Sequence, residues 1–201
     1  KFVADQNQFG FLYESGTYAS VSGATEQWVG QVTDHSPEID EGVISTRYLS
    51  IGTRNVDNFI RGPENIKGTI EFYPQDWKIL GYALGSVTDT SGAINTHTIS
   101  EMENNQQWYA TSGNDNPFAS LTFVDTKSAP GTGQNFKLTY NGCMIDTFKI
   151  SASQGEVVKC EAGYVAKAVT FSSGAKATIS SNTLEPFIYS DVKLSLPSGT
   201  A

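Results

Sequence analysis

The sequence predicts a single mainly-β domain carrying one short helix. Three observations predict it. Apolar residues recur at every second position over long stretches, turn-forming clusters separate those stretches, and only one segment combines helical start and stop signals. No solenoid-period repeat and no charged linker divides the chain, so residues 1–201 read as one domain. That length can bury a core without disulfide or metal staples.

The first expected strands are Gln27–Thr33, Val43–Leu49 and Ile66–Tyr73, each seeded with β-branched and aromatic residues. The helix follows, at about 74–84. Pro74 suits a first helical turn and Asp76 suits the positive helix N-terminus. Trp77, Leu80 and Leu84 form an i, i+3, i+7 stripe, and Gly85 supplies the stop. Short strands are expected next at Ile94–Ser100, Gln107–Thr111 and Phe118–Val124. Gly113-Asn114-Asp115-Asn116-Pro117 and Ala129-Pro130-Gly131-Thr132-Gly133 are turns between them.

The strongest signal is a hairpin. Phe136, Leu138, Tyr140, Met144, Phe148 and Ile150 mark one face of its first arm, with Lys137, Thr139, Asn141, Thr147 and Lys149 on the other. Ser153-Gln154-Gly155 is turn chemistry. The return arm, Val157 to Phe171, places Val158, Cys160, Ala162, Tyr164, Ala166 and Ala168 together. Arms of roughly fifteen residues exceed the usual strand length and point to a barrel or continuous sheet, whose edges must find partners. Two more strands are expected at Ala175–Ser180 and Phe187–Leu194.

Composition narrows the function. Charged residues are only 17%, and 21 Ser with 20 Thr supply the polarity instead. The formal charge of −8 repels nucleic-acid phosphate on average, which excludes a general DNA-binding role. No run approaches the ~18 apolar residues of a membrane span. The chain opens on Lys1 rather than Met, so that end reads as trimmed or preceded by further residues, and the far end is a natural stop or a cut. With alternation putting Cys143 beside Thr139 and Asn141, the two cysteines face opposite ways and read as free thiols. The absence of an Asn-x-Ser/Thr sequon argues against a secreted eukaryotic protein.

Catalytic chemistry is thin. Only His35, in a polar loop before Pro37, and His97, on a strand's solvent face, could act as imidazole bases, and no nucleophile elbow accompanies them. Two Cys and two His do not cluster into a zinc site. Gly131-Thr132-Gly133 lacks the rest of a phosphate-binding loop. Asp34, Glu38, Asp40 and Glu41 form the densest acidic patch, read as a solvated or interface loop ahead of a calcium site. No catalytic residue, metal ligand or cofactor is therefore assigned.

The arginines are more telling. All three, Arg47, Arg54 and Arg61, fall in one stretch together with Tyr48, Ile51, Val56 and Phe59. Arginine among aromatic and aliphatic residues is an interface composition, and the acidic patch just before it offers a complementary surface for another copy of the chain. An ordinary hairpin with locally paired arginines has the same composition. The candidate contact residues are Asp34, Glu38, Asp40, Glu41, Arg47, Tyr48, Arg54, Phe59 and Arg61.

The order of these parts resembles a known family. Phe11-Leu12-Tyr13-Glu14-Ser15-Gly16-Thr17-Tyr18 opens the pattern, followed by Trp28-Val29-Gly30 and a long polar segment. Gly68-Thr69-Ile70-Glu71-Phe72-Tyr73 then runs into the helix. Tyr140-Asn141-Gly142-Cys143 through Phe148-Lys149-Ile150-Ser151 and Gly155-Glu156-Val157-Val158 form the hairpin. Taken together they resemble the major tail-tube proteins of long-tailed bacteriophages and related archaeal viruses, a fold shared with the tubes of contractile injection systems. Such relatives often continue past the segment equivalent to Leu184–Asp191, where this chain soon stops.

The resemblance implies a β-sandwich or barrel-like subunit that forms hexameric rings. These would stack into the hollow tail tube that conducts viral DNA into the host, with no catalysis. It implies that the Asp34–Arg61 segment contacts adjacent subunits or the next ring. Partners would be other copies of the chain, tape-measure protein, and tail terminator and initiator proteins, with DNA passing unbound. The protein would be assembled in the host cytoplasm and reside in the virion. The rival reading is an extracellular β-sandwich binding module, carbohydrate-binding or adhesive, with Trp28, Trp77 and Trp108 as stacking platforms.

Overall fold

The computed structural model describes residues 7–14, 18–21, 25–40, 42–46, 58–62, 64–90, 96–101, 120–128, 135–173, 175–179 and 184–191. In chain order the strands are β1 (Gln8–Tyr13), β2 (Gln27–Trp28), β3 (Gln31–Asp40), β4 (Val43–Thr46), β5 (Asn58–Arg61) and β6 (Asn65–Tyr73). Helix α1 (Lys78–Leu84) comes next. After it come β7 (Gly85–Thr90), β8 (Thr96–Glu101), β9 (Ser120–Ser128), β10 (Asn135–Ser151), β11 (Lys159–Ala166) and β12 (Ala168–Ser172). The chain is mainly β with one short helix, as its periodicity predicts.

Eight strands form one antiparallel sheet in the order β2-β1-β9-β10-β11-β6-β3, with β12 also paired to β10. β2 and β3 stand at opposite ends of that order, yet only Val29 and Gly30 separate them in sequence. The sheet must therefore roll until its two ends nearly meet, without hydrogen-bonded closure. Gly30 makes the crossing at φ 134°, and a Cβ there would stand 2.7 Å from the Tyr73 carbonyl oxygen. No other residue type fits that corner without strain. Inside the roll lie Phe11, Phe72, Phe123, Tyr140, Tyr164, Ile66, Ile70 and Leu121, all fully buried. Each large apolar side chain so placed contributes about 1.5–3 kcal/mol.

The predicted hairpin is the spine of this sheet. β10 pairs β9 through its first half and β11 through its second, while β11 and β12 are one strand interrupted at Lys167. Gly155 turns the hairpin at φ 81°. The return arm faces inward as its alternation requires, with Val158, Cys160, Ala162, Tyr164 and Ala166 buried. The first arm departs from strict alternation. Gly142 at φ 65° sits where the β9 register shifts, which turns Cys143 into the core and leaves Met144 exposed. The expectation that Cys143 and Cys160 face opposite ways is thus wrong, although both thiols are free. What separates them is distance. Cys160 pairs with Ile150, seven residues along β10 from Cys143, or roughly 20 Å at strand rise, far beyond disulfide reach.

Other boundaries need correction. Gln75–Trp77 are bent chain, and α1 spans seven residues, with Trp77 as its N-cap and Gly85 as its left-handed C-cap. Pro74 and Asp76 therefore precede the helix. Ile79 and Tyr82 are its buried face rather than Trp77, Leu80 and Leu84, because Tyr82 packs with Phe11 and Tyr13. Residues 175–179 pair with no strand; they lie across β1, where Ala177 accepts a hydrogen bond from Gln8 Nε2 and Ile179 covers Gly10. Residues 187–191 give an isolated bridge, Val157 to Ile188, and a 3-10 turn at Tyr189–Asp191. β1, β5 and β7 were not expected from the sequence, and the expected strand Gln107–Thr111 lies outside the described residues.

Candidate functional site

The acidic patch read as a loop is an edge strand. β3 pairs with β6 on one side and, among the described residues, with no strand on the other. Pro37, opposite Gly68, is compatible with this edge, since proline has no N–H to give a ladder. A register shift between Val32 and Asp34 sets the alternation that follows. Asp34, Ser36, Glu38 and Asp40 then stand on the outer face, while His35 points into the roll.

That outer face continues over β6, β11 and the second half of β10 as a ladder of cross-strand ion pairs. Glu38 meets Lys67 at 3.1 Å, Glu71 meets Lys159, and Glu161 meets Lys149 at 3.6 Å. These exposed pairs contribute little stability. Their consequence is electrostatic: every lysine on this face is matched, and Asp34 and Asp40 add negative charge that no lysine or arginine pairs among the described residues. Asp34 Oδ2 accepts from Ser36 Oγ at 2.7 Å, and Asp40 Oδ1 from the Gly42 amide at 3.0 Å. Among the described residues no group of acidic, His and Cys side chains could hold a metal.

The segment that follows is an arm. β4 and β5 pair with each other and continue the β3–β6 hairpin past a joint, where the Gly62 amide donates to the Gly42 carbonyl at 2.8 Å and Gly42 takes φ 56°. Arg61 closes the arm's base opposite Val43, and Phe59 lies opposite Ser45. Glu41, Arg47, Tyr48 and Arg54 lie outside the described residues. The structure therefore places Asp34, Glu38 and Asp40 on the edge strand, and Phe59 and Arg61 on the arm that extends from it.

A second open edge lies in the same sheet. β9 pairs β10 only as far as Met144, so beyond it β10 has β11 on one side and, among the described residues, no strand on the other. A groove of about 400 Å³ runs beside it, lined by Leu80, Ala83, Leu84, Ile145, Phe148 and Ile150. Sequence reasoning missed this edge, because the β9 register that exposes it is a tertiary fact.

His35 is not in a polar loop. Its side chain is buried and bridges the two halves of the roll, with Nδ1 3.2 Å from Asp125 Oδ2 and Nε2 2.8 Å from the Tyr164 hydroxyl. Nδ1–H donates to the carboxylate, leaving Nε2 to accept the tyrosine proton, which assigns the tautomer. Phe9 and Tyr140 pack against the ring. His35 and Asp125 line a cleft of about 510 Å³ at the seam, with Phe9, Trp28, Val32 and Lys127, while Tyr164 lies buried behind them. Burial pushes the Tyr164 hydroxyl well above its ordinary pKa, so it stays protonated within this buried trio. His35→Phe should cost about 1–3 kcal/mol in urea denaturation, because Asp125 and Tyr164 lose their buried partner. His97 lies on β8 opposite Asp89.

The buried thiols follow the same electrostatics. Burial raises Cys143 and carries Cys160 from 9.0 to about 12; Tyr140 rises from 10.0 to about 12 by burial and by the nearby Asp125 charge. Groups with raised folded-state pKa values stabilise fully below their unfolded values and lose that contribution as pH climbs. Folding stability should fall as pH rises from 9 toward 12. Native protein at pH 8 should leave a disulfide-exchange thiol reagent unconsumed, while urea exposes both cysteines.

Two of the candidate sugar platforms are half-buried and engaged by neighbouring side chains. Trp28 Nε1 donates to Gln75 Oε1 at 2.6 Å, and Trp77 stacks on Phe187 with ring planes 8° apart. Trp108 lies outside the described residues. Among the described residues no helix is long and apolar enough to cross a membrane.

Comparison with one solved tail tube agrees with this architecture. The SPP1 tail tube, solved by solid-state NMR and cryo-EM, superposes with a TM-score of 0.51 at 8% identity, covering 88% of this chain and 81% of that one. The sheath–tube complex of PVC, an extracellular contractile injection system, aligns at a TM-score of 0.43 and 11% identity, over 73% of this chain and 86% of its own. No curated protein matches by sequence. The model of the phage tail tube protein family matches residues 7–197, so the chain belongs to that family, whose members are structural components of the virion and not enzymes.

Proposed function

We propose that this chain is a one-domain subunit of hexameric rings, which stack into a hollow tube through which viral DNA passes into the host cell. The observation that carries the reading is the pair of open edges, β3 and the second half of β10, at either side of the four-strand layer β3-β6-β11-β10. An unpaired edge is a liability that a neighbouring strand removes. If the β3 edge of one copy meets the β10 edge of the next, the layer continues around a ring and both liabilities disappear. Ile39, exposed on β3, would then meet the apolar groove beside Ile150, and the acidic face of β3 would approach Lys149.

In this reading the acidic outer face of the layer lines the channel. Asp34 and Asp40, without an ion-pair partner among the described residues, beside paired lysines give a wall that repels phosphate and lets DNA slide. The arm from Gly42 onward, with Glu41, Arg47, Tyr48, Arg54, Phe59 and Arg61, reaches an adjacent subunit or the next ring. Tape-measure, terminator and initiator proteins would meet the same tube, assembled in the host cytoplasm. Native mass spectrometry of the concentrated protein should show six times the 21.7 kDa chain mass and multiples of it. A single-chain mass at every concentration, even with a tail initiator added, would contradict the reading. Arg54→Glu should shorten the polymers severalfold in electron micrographs; unchanged length would remove Arg54 from the contact.

A further inference from the structure

Two buried oxygens, Glu26 Oε2 and Thr126 Oγ1, take no hydrogen bond among the described residues. The third such atom, the Tyr140 hydroxyl, lies elsewhere, inside the roll with Tyr164. Strand register brings the first two together on the opposite face of β9. Gln8, Thr126 and Lys137 form one row across β1, β9 and β10. The Glu26 carboxylate spans that row. Its Oε1 accepts from Gln8 Nε2 at 3.2 Å, and its Oε2 lies 3.8 Å from Lys137 Nζ. It therefore passes over Thr126, the middle residue of the row.

The neighbouring groups do not serve these oxygens directly. Gln8 Nε2 is committed to Glu26 Oε1 and to the Ala177 carbonyl, at 3.2 and 3.0 Å. A separation of 3.8 Å is too long for an N–H···O bond, so Lys137 offers charge without a direct hydrogen bond. Gly10 and Ile179 close in from the side of β1: a Cβ at Gly10 would stand 2.8 Å from Glu26 Oε1 and 2.7 Å from Ile179 Cδ1. The Glu26 side chain is only 2% exposed, so bulk solvent does not reach it. A buried carboxylate oxygen with no donor is costly. The same face of β9 shows how the protein meets that need elsewhere, since the Ser120 and Thr122 hydroxyls donate straight to Glu14. Thr126 repeats the hydroxyl beneath a second buried glutamate without reaching it.

We infer that one ordered water binds between Thr126 Oγ1 and Glu26 Oε2. It accepts from the Thr126 hydroxyl and the Lys137 ammonium and donates to the carboxylate. Those three partners are what a buried water typically takes. A metal cation does not suit the site, because Lys137 already places a positive charge beside Glu26. The water joins β9 and β10 to the residue preceding β2, and through Gln8 to β1 and the 175–179 segment. The inference is independent of the ring-and-tube reading.

The test is a crystal structure of the full-length chain at a resolution that shows ordered solvent, grown with rubidium as the monovalent cation. The expected result is a peak at hydrogen-bond distance, roughly 2.6–3.2 Å, from both oxygens and without anomalous rubidium signal. A rubidium peak would overturn the inference, as would a direct bond from Thr126 to Glu26 or the absence of any ordered peak between them. Thr126→Val keeps the shape of the side chain and removes its hydroxyl. It should lose the peak and raise the unfolding equilibrium constant in urea about threefold to tenfold. Thr126→Ser should keep both the peak and the wild-type midpoint. A valine variant that retains the peak unmoved, or unfolds at the wild-type midpoint, would contradict the bridge. Should the valine variant fail to fold, the wild-type and serine structures decide by the same peak.

Discussion

Glu14→Ala should be among the most destabilising single substitutions in this protein, costing about 3–5 kcal/mol in urea denaturation. Glu14 follows β1 and is 4% exposed, yet no basic side chain pairs with it among the described residues. Four donors surround its carboxylate instead. Ser120 Oγ and Thr122 Oγ1 each donate at 2.6 Å, the Gly142 amide at 2.7 Å and the Ala19 amide at 2.8 Å. These join β1, β9, the β10 bulge and the 18–19 turn at one point. Alanine would leave buried hydroxyls and amides without an acceptor, each a penalty of about 1–3 kcal/mol before relaxation. The effect should exceed that of Glu161→Ala, whose exposed pair with Lys149 is worth little. Equal midpoints for the two variants would sink this account of Glu14.

Gly68→Val should be comparably severe, at about 3 kcal/mol or more. Gly68 is the register partner of Tyr164, whose ring lies over it. A Cβ at position 68 would stand 2.6 Å from the Tyr164 hydroxyl and 2.7 Å from Cζ. A surface side chain would swing away, but Tyr164 is fully buried and its hydroxyl is held by His35. The valine therefore must push the ring off His35 and open the seam between β3 and β9. Near-UV circular dichroism should change along with stability. A normal spectrum with an unshifted midpoint would show that the ring is free to move.

These two residues also show where sequence reading stops. The hairpin of β10 and β11 was legible because the buried face of Val158, Cys160, Ala162 and Tyr164 repeats at every second position. Gly142 broke that logic. A single left-handed glycine reset the phase, so Cys143 and Met144 exchanged the faces that alternation assigns them. Beyond Thr33, β3 was read as a loop because Asp, Ser, Pro and Glu suit loops, and its strand state comes from pairing with β6 at an edge that tolerates Pro37. Glu14, His35 and Asp125 looked like ordinary polar residues, since the contacts that tie them across the sheet, His35 to Asp125 and Glu14 to Thr122, span 90 or more positions in sequence. Composition marks the acidic-then-arginine segment as a candidate contact surface, whereas its division into an edge strand and an arm comes from pairing with β6 and from the Gly42 joint.

The central claim is that open sheet edges close by meeting other copies around a channel. Negative-stain electron microscopy of the purified full-length chain, with class averages taken end-on and from the side, tests it most directly. The account predicts six-fold annuli with a stain-filled centre, and side views of stacked rings. Uniform particles of single-chain size at high concentration, with neither annuli nor tubes, would contradict it.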